Sequence, residues 1–302
     1  MFHNNEIEIK LNEKYEYKNE IKLSYAKNIY NKNIFGKEFV KNNKDNIELL
    51  INNEKNKLVD QYDLNEGENV ITLLIKNKLT NLSYMFYRCE SLKDIKELEY
   101  LNVEGVKNFD MMFSYCYLSD IKPLQNWNVS NGNSFSGMFL RCKSLSDITS
   151  LQNWNVSNVK NFSAMFMGCS SLSDIISLQN WNVSNGQSFW NMFRECSSLS
   201  DIKPLQNWNV SNCNIFDSMF RGCSSLSDIS PLKNWNVSKG TNFGNMFYKC
   251  SSLSDIKPLE NWYVSNGNIF DNMFKECSSL LDITPFKNWK GFTEMFGENK
   301  YH

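Results

Sequence analysis

The sequence predicts an α/β repeat protein: a solenoid of about eight 27-residue units behind an N-terminal β-rich cap. Two observations lead there: the Met-Phe dipeptide recurs at a nearly constant step, and residues 1–78 lack the repeat. The steps are 27, 26, 27, 27, 27, 27, 27 and 22 residues. A 27-residue step lies in the range of leucine-rich repeats, so we expect a leucine-rich-repeat-like solenoid. The repeated methionines are Met85, Met112, Met138, Met165, Met192, Met219, Met246, Met273 and Met295.

Residues 1–78 are predicted to form a small capping domain, because a stack whose first unit is bare would expose its core. Alternating apolar residues favour short strands. The segment Phe35–Asn42 is expected to be a loop or a brief helix. The predicted strands are Ile7–Leu11, Ile21–Tyr25, Ile47–Ile51 and Val70–Ile75.

Each unit of the solenoid, residues 79–291, is predicted to contain a short strand, a turn and a short helix. In the unit that begins at Leu172, the spacing from Phe189 to Cys196 is i, i+3, i+4, i+7, which is typical of one helical face. The half from Leu172 to Val183 has no helical face, so we expect a strand that continues into an extended segment. Stacked units would place these strands in a parallel sheet. Residues 292–302 are expected to be a truncated last unit with a polar end.

Two columns of repeated residues could be mistaken for chemical sites. Eight cysteines lie four residues after the Met of their unit, and we predict that they are buried thiols, although neighbouring units could in principle bring them to disulfide distance. Cys213 is a ninth, in another column. The aspartates before each Ile, such as Asp174, are predicted to bond to the local backbone and to pair with the lysine two residues later, as at Lys122, Lys203 and Lys257; a calcium-binding ladder is the alternative. We therefore expect no metal site.

Composition argues against several classes of function. The 32 basic and 33 acidic residues nearly cancel, in residues 1–78 as in the rest, so no nucleic-acid partner is expected. The histidines are His3 and His302, which disfavours catalysis by a positioned imidazole. We expect no catalytic residues, no enzyme activity and no cofactor. The chain shows no signal-peptide pattern and no apolar run of 18 residues, which argues against membrane insertion and favours an intracellular location.

The pattern LSDI, LQNWNVSN, MF and CSSL closely resembles the BspA-like leucine-rich repeat family of bacterial and protist proteins. The resemblance covers about residues 79–296 and recurs over eight units. It implies a leucine-rich-repeat-like solenoid with a role in binding, often in cell-surface adhesion or host contact.

The leading functional hypothesis is a non-enzymatic scaffold that binds another protein through one face of the solenoid. The residue after each strand Ile varies while the Ile is constant, so we predict this sheet face as the binding face. The exposed Trp190 on the helix side is the alternative anchor, unless it lies flat over neighbouring units. The alternative function is an architectural or self-associating element. The sheet-face residues are Lys96, Lys122, Thr149, Ile176, Lys203, Ser230, Lys257 and Thr284.

Overall fold

The structure is a computed structural model that describes residues 17–286, together with residues 289 and 295. The predicted strand at residues 7–11 lies outside the described residues, as does all of 292–302 except Met295. Met295 is buried, and its carbonyl accepts a hydrogen bond from the Phe274 N–H at 2.8 Å.

The N-terminal part is built on one antiparallel sheet. Its strands are β1 (Glu20–Ala26), β2 (Ile47–Ile51), β3 (Glu54–Lys57), β4 (Glu68–Ile75) and β5 (Leu92–Asp94), in the order β3-β2-β4-β1-β5. The single α-helix between residues 17 and 286, α1 (Lys37–Asn43), packs Phe39 into the core. Three predicted strands are confirmed as β1, β2 and β4, and the segment expected to be a loop or brief helix contains α1. The short, charged β3 was missed, since it has no alternating apolar face.

The sheet continues directly into the repeats. Strand β5 belongs to the first repeat and pairs with β1. Phe35 packs against Phe86 of the first unit with 5.9 Å between ring centroids, and the Gly36 N–H donates to the Met85 carbonyl at 3.0 Å. The N-terminal part therefore occupies the place that a preceding unit would take.

The repeats stack in chain order, with each unit hydrogen-bonded to the next. One isolated parallel bridge joins each pair of neighbours, as between Ser188 and Ile215. The N–H groups of Phe189, Asn191 and Phe193 donate to carbonyls of the following unit at 2.9–3.0 Å. The bridging residues are Asn81, Asn108, Ser134, Asn161, Ser188, Ile215, Asn242 and Ile269.

The predicted short helix in each unit is wrong. Residues 79–286 contain no α-helix, and the segment from Phe189 to Cys196 consists of turns, with Met192 N–H bonded to Phe189 O and Cys196 N–H to Phe193 O. The third residue of each turn, Asn191 or Glu195, has a φ of 56° or 62°, which an α-helix does not allow. Turns repeated every four residues place apolar side chains inward at the same spacing as a helical face.

The predicted strand is absent at Leu172, where a 3₁₀-helix follows the Ile. In the first unit the equivalent residues do form a strand, β5, but it pairs antiparallel with β1 and not with the next unit. The Asp174 carboxylate accepts the Ile176 N–H at 2.7 Å, and this Asx turn uses a donor that a sheet would need. The short parallel bridges lie instead in the other half of the unit, at Ser188. The 3₁₀-helices are Lys96–Tyr100, Lys122–Leu124, Thr149–Leu151, Ile176–Leu178, Lys203–Leu205, Ser230–Leu232, Lys257–Leu259 and Thr284–Phe286.

The core consists of columns that run the length of the stack. Phe193 stacks between Phe166 and Phe220 with 5.8 Å between ring centroids on each side. Tryptophans add a second ladder, in which each indole Nε1 donates to a leucine carbonyl of the preceding unit at 2.7–3.0 Å. Each core side chain is covered on both sides by the equivalent side chains of the neighbouring units. A single unit therefore cannot bury its own core.

The cysteine prediction is confirmed: all nine cysteines are buried and free. From the second unit to the eighth, each column thiol donates to a Phe carbonyl of the preceding unit, as Cys196 does to Phe166 O at 3.1 Å. Burial raises the pKa of Cys142 and of Cys223 to about 12. These thiols are structural donors and are protonated at neutral pH.

Candidate binding groove

The 3₁₀-helices of successive units lie one above another and form a continuous surface, which we call the turn face. The aspartate before each Ile accepts the backbone N–H two residues later, at 2.7–2.9 Å in all eight units. Each bond satisfies one N–H at the helix start, so the backbone of the turn face is the same in every unit. The predicted hydrogen bond to the local backbone is confirmed. The predicted pairing with the lysine two residues later is wrong at Lys122, Lys203 and Lys257, which form no ion pair with a described residue, and such a pair forms at Lys96.

The eight residues predicted as the binding face all lie on the turn face and are all exposed. Each is the first residue of a 3₁₀-helix, so they do not lie on a sheet surface as predicted. We expected the alternation of a strand to expose the side chain after each Ile. In the structure, the Asx turn points this side chain outward. The structure therefore brings the eight residues together on one face for a different reason. They are Lys96, Lys122, Thr149, Ile176, Lys203, Ser230, Lys257 and Thr284.

Three depressions lie along the turn face. The first lies between the first and second units and includes Lys96 and Tyr117, and the second adjoins it at Ser119 and Asp120. The third lies between the fourth and fifth units and is lined by Ile176 and Lys203, among others. A ligand that follows the stack would meet one variable side chain per unit.

Sequence reasoning missed one column that lines these depressions. Gln125, Gln152, Gln179 and Gln206 lie four residues after the Ile of their units and are exposed. Their constant position was a detectable signal. Exposed amides can both donate and accept hydrogen bonds, so this column offers polar contacts along the second to fifth units.

The electrostatics of the turn face are set by one carboxylate per unit. The backbone N–H of Thr149 lowers the pKa of Asp147, and at Asp282 the hydroxyl and N–H of Thr284 do the same. Of the four lysines on the face, Lys96 forms an ion pair, 3.2 Å from Asp94; within the described residues the ammonium groups of the others have none. The face thus carries eight aspartates and four lysines, and its net charge is negative.

Trp190 lies in the other half of its unit, two residues after the bridging Ser188, and the structure does not place it on the turn face. Its side chain is 48% exposed, and the indole Nε1 donates to Asp217 Oδ1 of the next unit at 3.0 Å. The predicted helix side does not exist here. Trp190 is nonetheless an exposed, oriented aromatic side chain.

The described residues contain no group of three or more His, Cys, Asp or Glu side chains that could hold a metal ion. Within the same part of the chain, no helix combines the length and the apolar character that crossing a bilayer requires.

The chain belongs to a family of repeat proteins. Four overlapping matches to this family, at residues 61–176, 119–233, 146–257 and 201–301, cover the repeats in tandem. The family is described as "Mycoplasma protein of unknown function, DUF285". No curated protein matches the chain.

Proposed function

We propose that this protein is a non-enzymatic scaffold that binds another protein along the turn face. The observation that carries the proposal is a varied row of exposed side chains on a uniform backbone frame. Lys122, Ile176 and Lys203 differ in charge and polarity, while the Asx turn beneath them is constant. Changing these side chains alters recognition without altering the fold.

The proposed scaffold is a solenoid of the leucine-rich-repeat kind, related to the BspA-like repeats. The parallel bridges, the buried columns and the 27-residue step support this assignment. The net negative charge of the turn face favours a partner surface that is basic overall, with acidic groups opposite the unpaired lysines.

The test begins with a pull-down from the native source and mass spectrometry, followed by affinity measurements on the recovered partner. The variant Lys122→Glu, Lys203→Glu and Lys257→Glu should abolish binding. Its melting temperature should stay unchanged, since these lysine side chains make no ion pair with described residues. Tight binding by this triple variant would refute the turn face.

The matched control is Lys107→Glu, Lys160→Glu and Lys239→Glu, which makes the same change in net charge at exposed lysines in the other half of the unit. It should bind as the wild type does. If Trp190→Ala abolishes binding and the turn-face triple does not, the partner binds around Trp190 instead.

The second candidate function is an architectural or self-associating element, since every unit presents the same contacts to its neighbour and a second copy of the chain could present them too. Size-exclusion chromatography with light scattering separates the two functions. A monomer at all concentrations would argue against self-association.

A further inference from the structure

Another depression lies away from the turn face, where the N-terminal part meets the first two repeats. It is lined by Tyr30, Lys32, Gln61, Arg88, Glu90 and Tyr115, among others. Two tyrosines, an arginine and an amide are the side-chain types that concentrate binding energy at protein interfaces. We call it the Arg88 depression.

Arg88 is the cation of this depression that has no ion-pair partner among the described residues, since Lys32 pairs with Asp63. Its guanidinium carbon lies 5.0 Å from the ring centroid of Tyr115 and 5.5 Å from that of Tyr87. Among the described residues it makes no ion pair and no side-chain hydrogen bond, whereas Arg141 and Arg194 both pair with Glu195. Stacking on rings orients a guanidinium and leaves its N–H edge free.

The choice of arginine is itself informative. The chain has four arginines among its 32 basic residues, and all four lie one or two positions before a column cysteine. Lysine also occurs at these positions, as at Lys249 before Cys250, so the repeat accepts either residue. Arginine at position 88 supplies a planar, two-pronged donor that lysine would not.

The walls of the depression are held in place before any ligand binds. Asn31 Nδ2 donates to the Arg88 carbonyl at 2.9 Å, and Gln61 Nε2 donates to Asn33 Oδ1 at 3.0 Å. Arg88 and Tyr115 have φ values of 56° and 60°, and their N–H groups bond to the next unit at 2.9 and 2.7 Å. A site fixed in this way loses little entropy on binding.

The charges define the ligand. Lys32 is paired with Asp63 at 2.8 Å, and the charges of Arg88 and Glu90 cancel, so the lining has no net charge and the attraction for an anion comes from the guanidinium edge of Arg88 alone. A dianionic phosphate would meet Glu90 unfavourably, whereas a carboxylate matches both the charge and the fork of a guanidinium.

We propose that the Arg88 depression binds an aspartate or glutamate side chain of a protein partner. The carboxylate meets the free edge of Arg88, and Tyr30, which is 93% exposed, covers the neighbouring part of the partner segment. This site goes beyond the proposed function, and its test does not depend on whether the turn face binds a partner.

The test selects peptides from a random-sequence display library on the immobilised full chain and measures each by fluorescence polarisation. Peptides bound here should contain Asp or Glu. Arg88→Gln should weaken them about tenfold or more, and Arg88→Lys should weaken them as well, because it keeps the charge and loses the fork. Arg221→Gln is the matched control: Arg221 is likewise stacked, 4.5 Å from the Tyr248 ring, and its loss should change nothing.

Recovery of no peptide whose affinity depends on Arg88 overturns the proposal. If the selected peptides no longer bind the variant with the three lysines of the turn face changed to glutamate, and Arg88→Gln still binds them, the proposal is overturned as well. That result would support the proposed function. If Arg88→Gln lowers the melting temperature, the variant Tyr30→Ala is used in its place and should weaken peptide binding several-fold. Unchanged affinity of Tyr30→Ala for the peptides would then overturn the proposal. Competition by acetate and by inorganic phosphate at equal ionic strength identifies the anion, and much stronger displacement by phosphate would refute a carboxylate ligand.

Discussion

The indole ladder should be a measurable part of the cohesion between units, and replacing Trp208 by Phe tests this. Trp208 is 4% exposed, and its Nε1 donates to the Leu178 carbonyl of the preceding unit at 3.0 Å. That carbonyl also accepts the Trp181 N–H at 3.1 Å, so it keeps one partner after the change. The hydrogen-bond loss is therefore about 1 kcal/mol, without the full penalty of an unpaired carbonyl.

The smaller ring adds a second loss. Going from indole to phenyl removes about two buried carbon groups, or roughly 1.5 kcal/mol at about 0.8 kcal/mol each. The expected total is about 2–3 kcal/mol, measured as the shift of the urea midpoint at unchanged slope. A larger shift would indicate that neighbouring units unfold with the altered one.

The matched control is Trp190→Phe. Trp190 also donates its Nε1 across a unit boundary, to Asp217, but its side chain is 48% exposed. Water can replace that hydrogen bond, so the cost should stay below about 0.5 kcal/mol. Equal losses for the two variants would refute the idea that buried inter-unit bonds carry the cohesion.

Three further predictions concern the core and the thiols. Phe189→Ala or Met192→Ala should lower the free energy of unfolding by about 2–5 kcal/mol, because each leaves a cavity, whereas Lys203→Ala should leave it almost unchanged. Equal shifts of the melting temperature would mean that the assignment of buried and exposed positions is reversed. Thiol titration should find few reactive groups in the native protein and nine after denaturation without reductant; a count near zero would establish disulfides. Because burial raises the pKa of Cys213 to about 12, its alkylation rate in the native protein should stay far below that of a free thiol and should still be rising at about pH 9, where the rate of a free thiol levels off; a rate that levels off there would refute burial.

The repeat step, the buried cysteines and three strands of the N-terminal part were predictable, because each depends on a local pattern. The helix prediction failed since the Phe189–Cys196 spacing suits both a helix and four-residue turns. The residue type at the third position of each turn distinguishes turns from a helix. Glycine occurs there in several units, and Gly137, Gly168 and Gly222 have φ values of 60°, 75° and 74°. Glycine in two recurring positions of a supposed helix favours turns.

The candidate site was predictable only in part. Exposure of the residue after each Ile followed from the repeat, whereas the depressions depend on how 3₁₀-helices of neighbouring units pack. The Arg88 depression could not be predicted, because it joins Tyr30 to Tyr115, which lie 85 residues apart. No periodic pattern connects a loop before the repeats to the second unit.

The two sets of donors give the stack a direction. The N–H group of Phe189 donates forward to Ile215, whereas the N–H group of Gln187 donates backward to Lys160, as do the indole and thiol groups, for example from Cys196 to Phe166. The two ends of the stack therefore offer different donors and acceptors. At the leading end the sheet already occupies the acceptors, since Gly36 bonds to Met85 and β1 pairs with β5. A further unit could therefore stack on this end only if the sheet detached first.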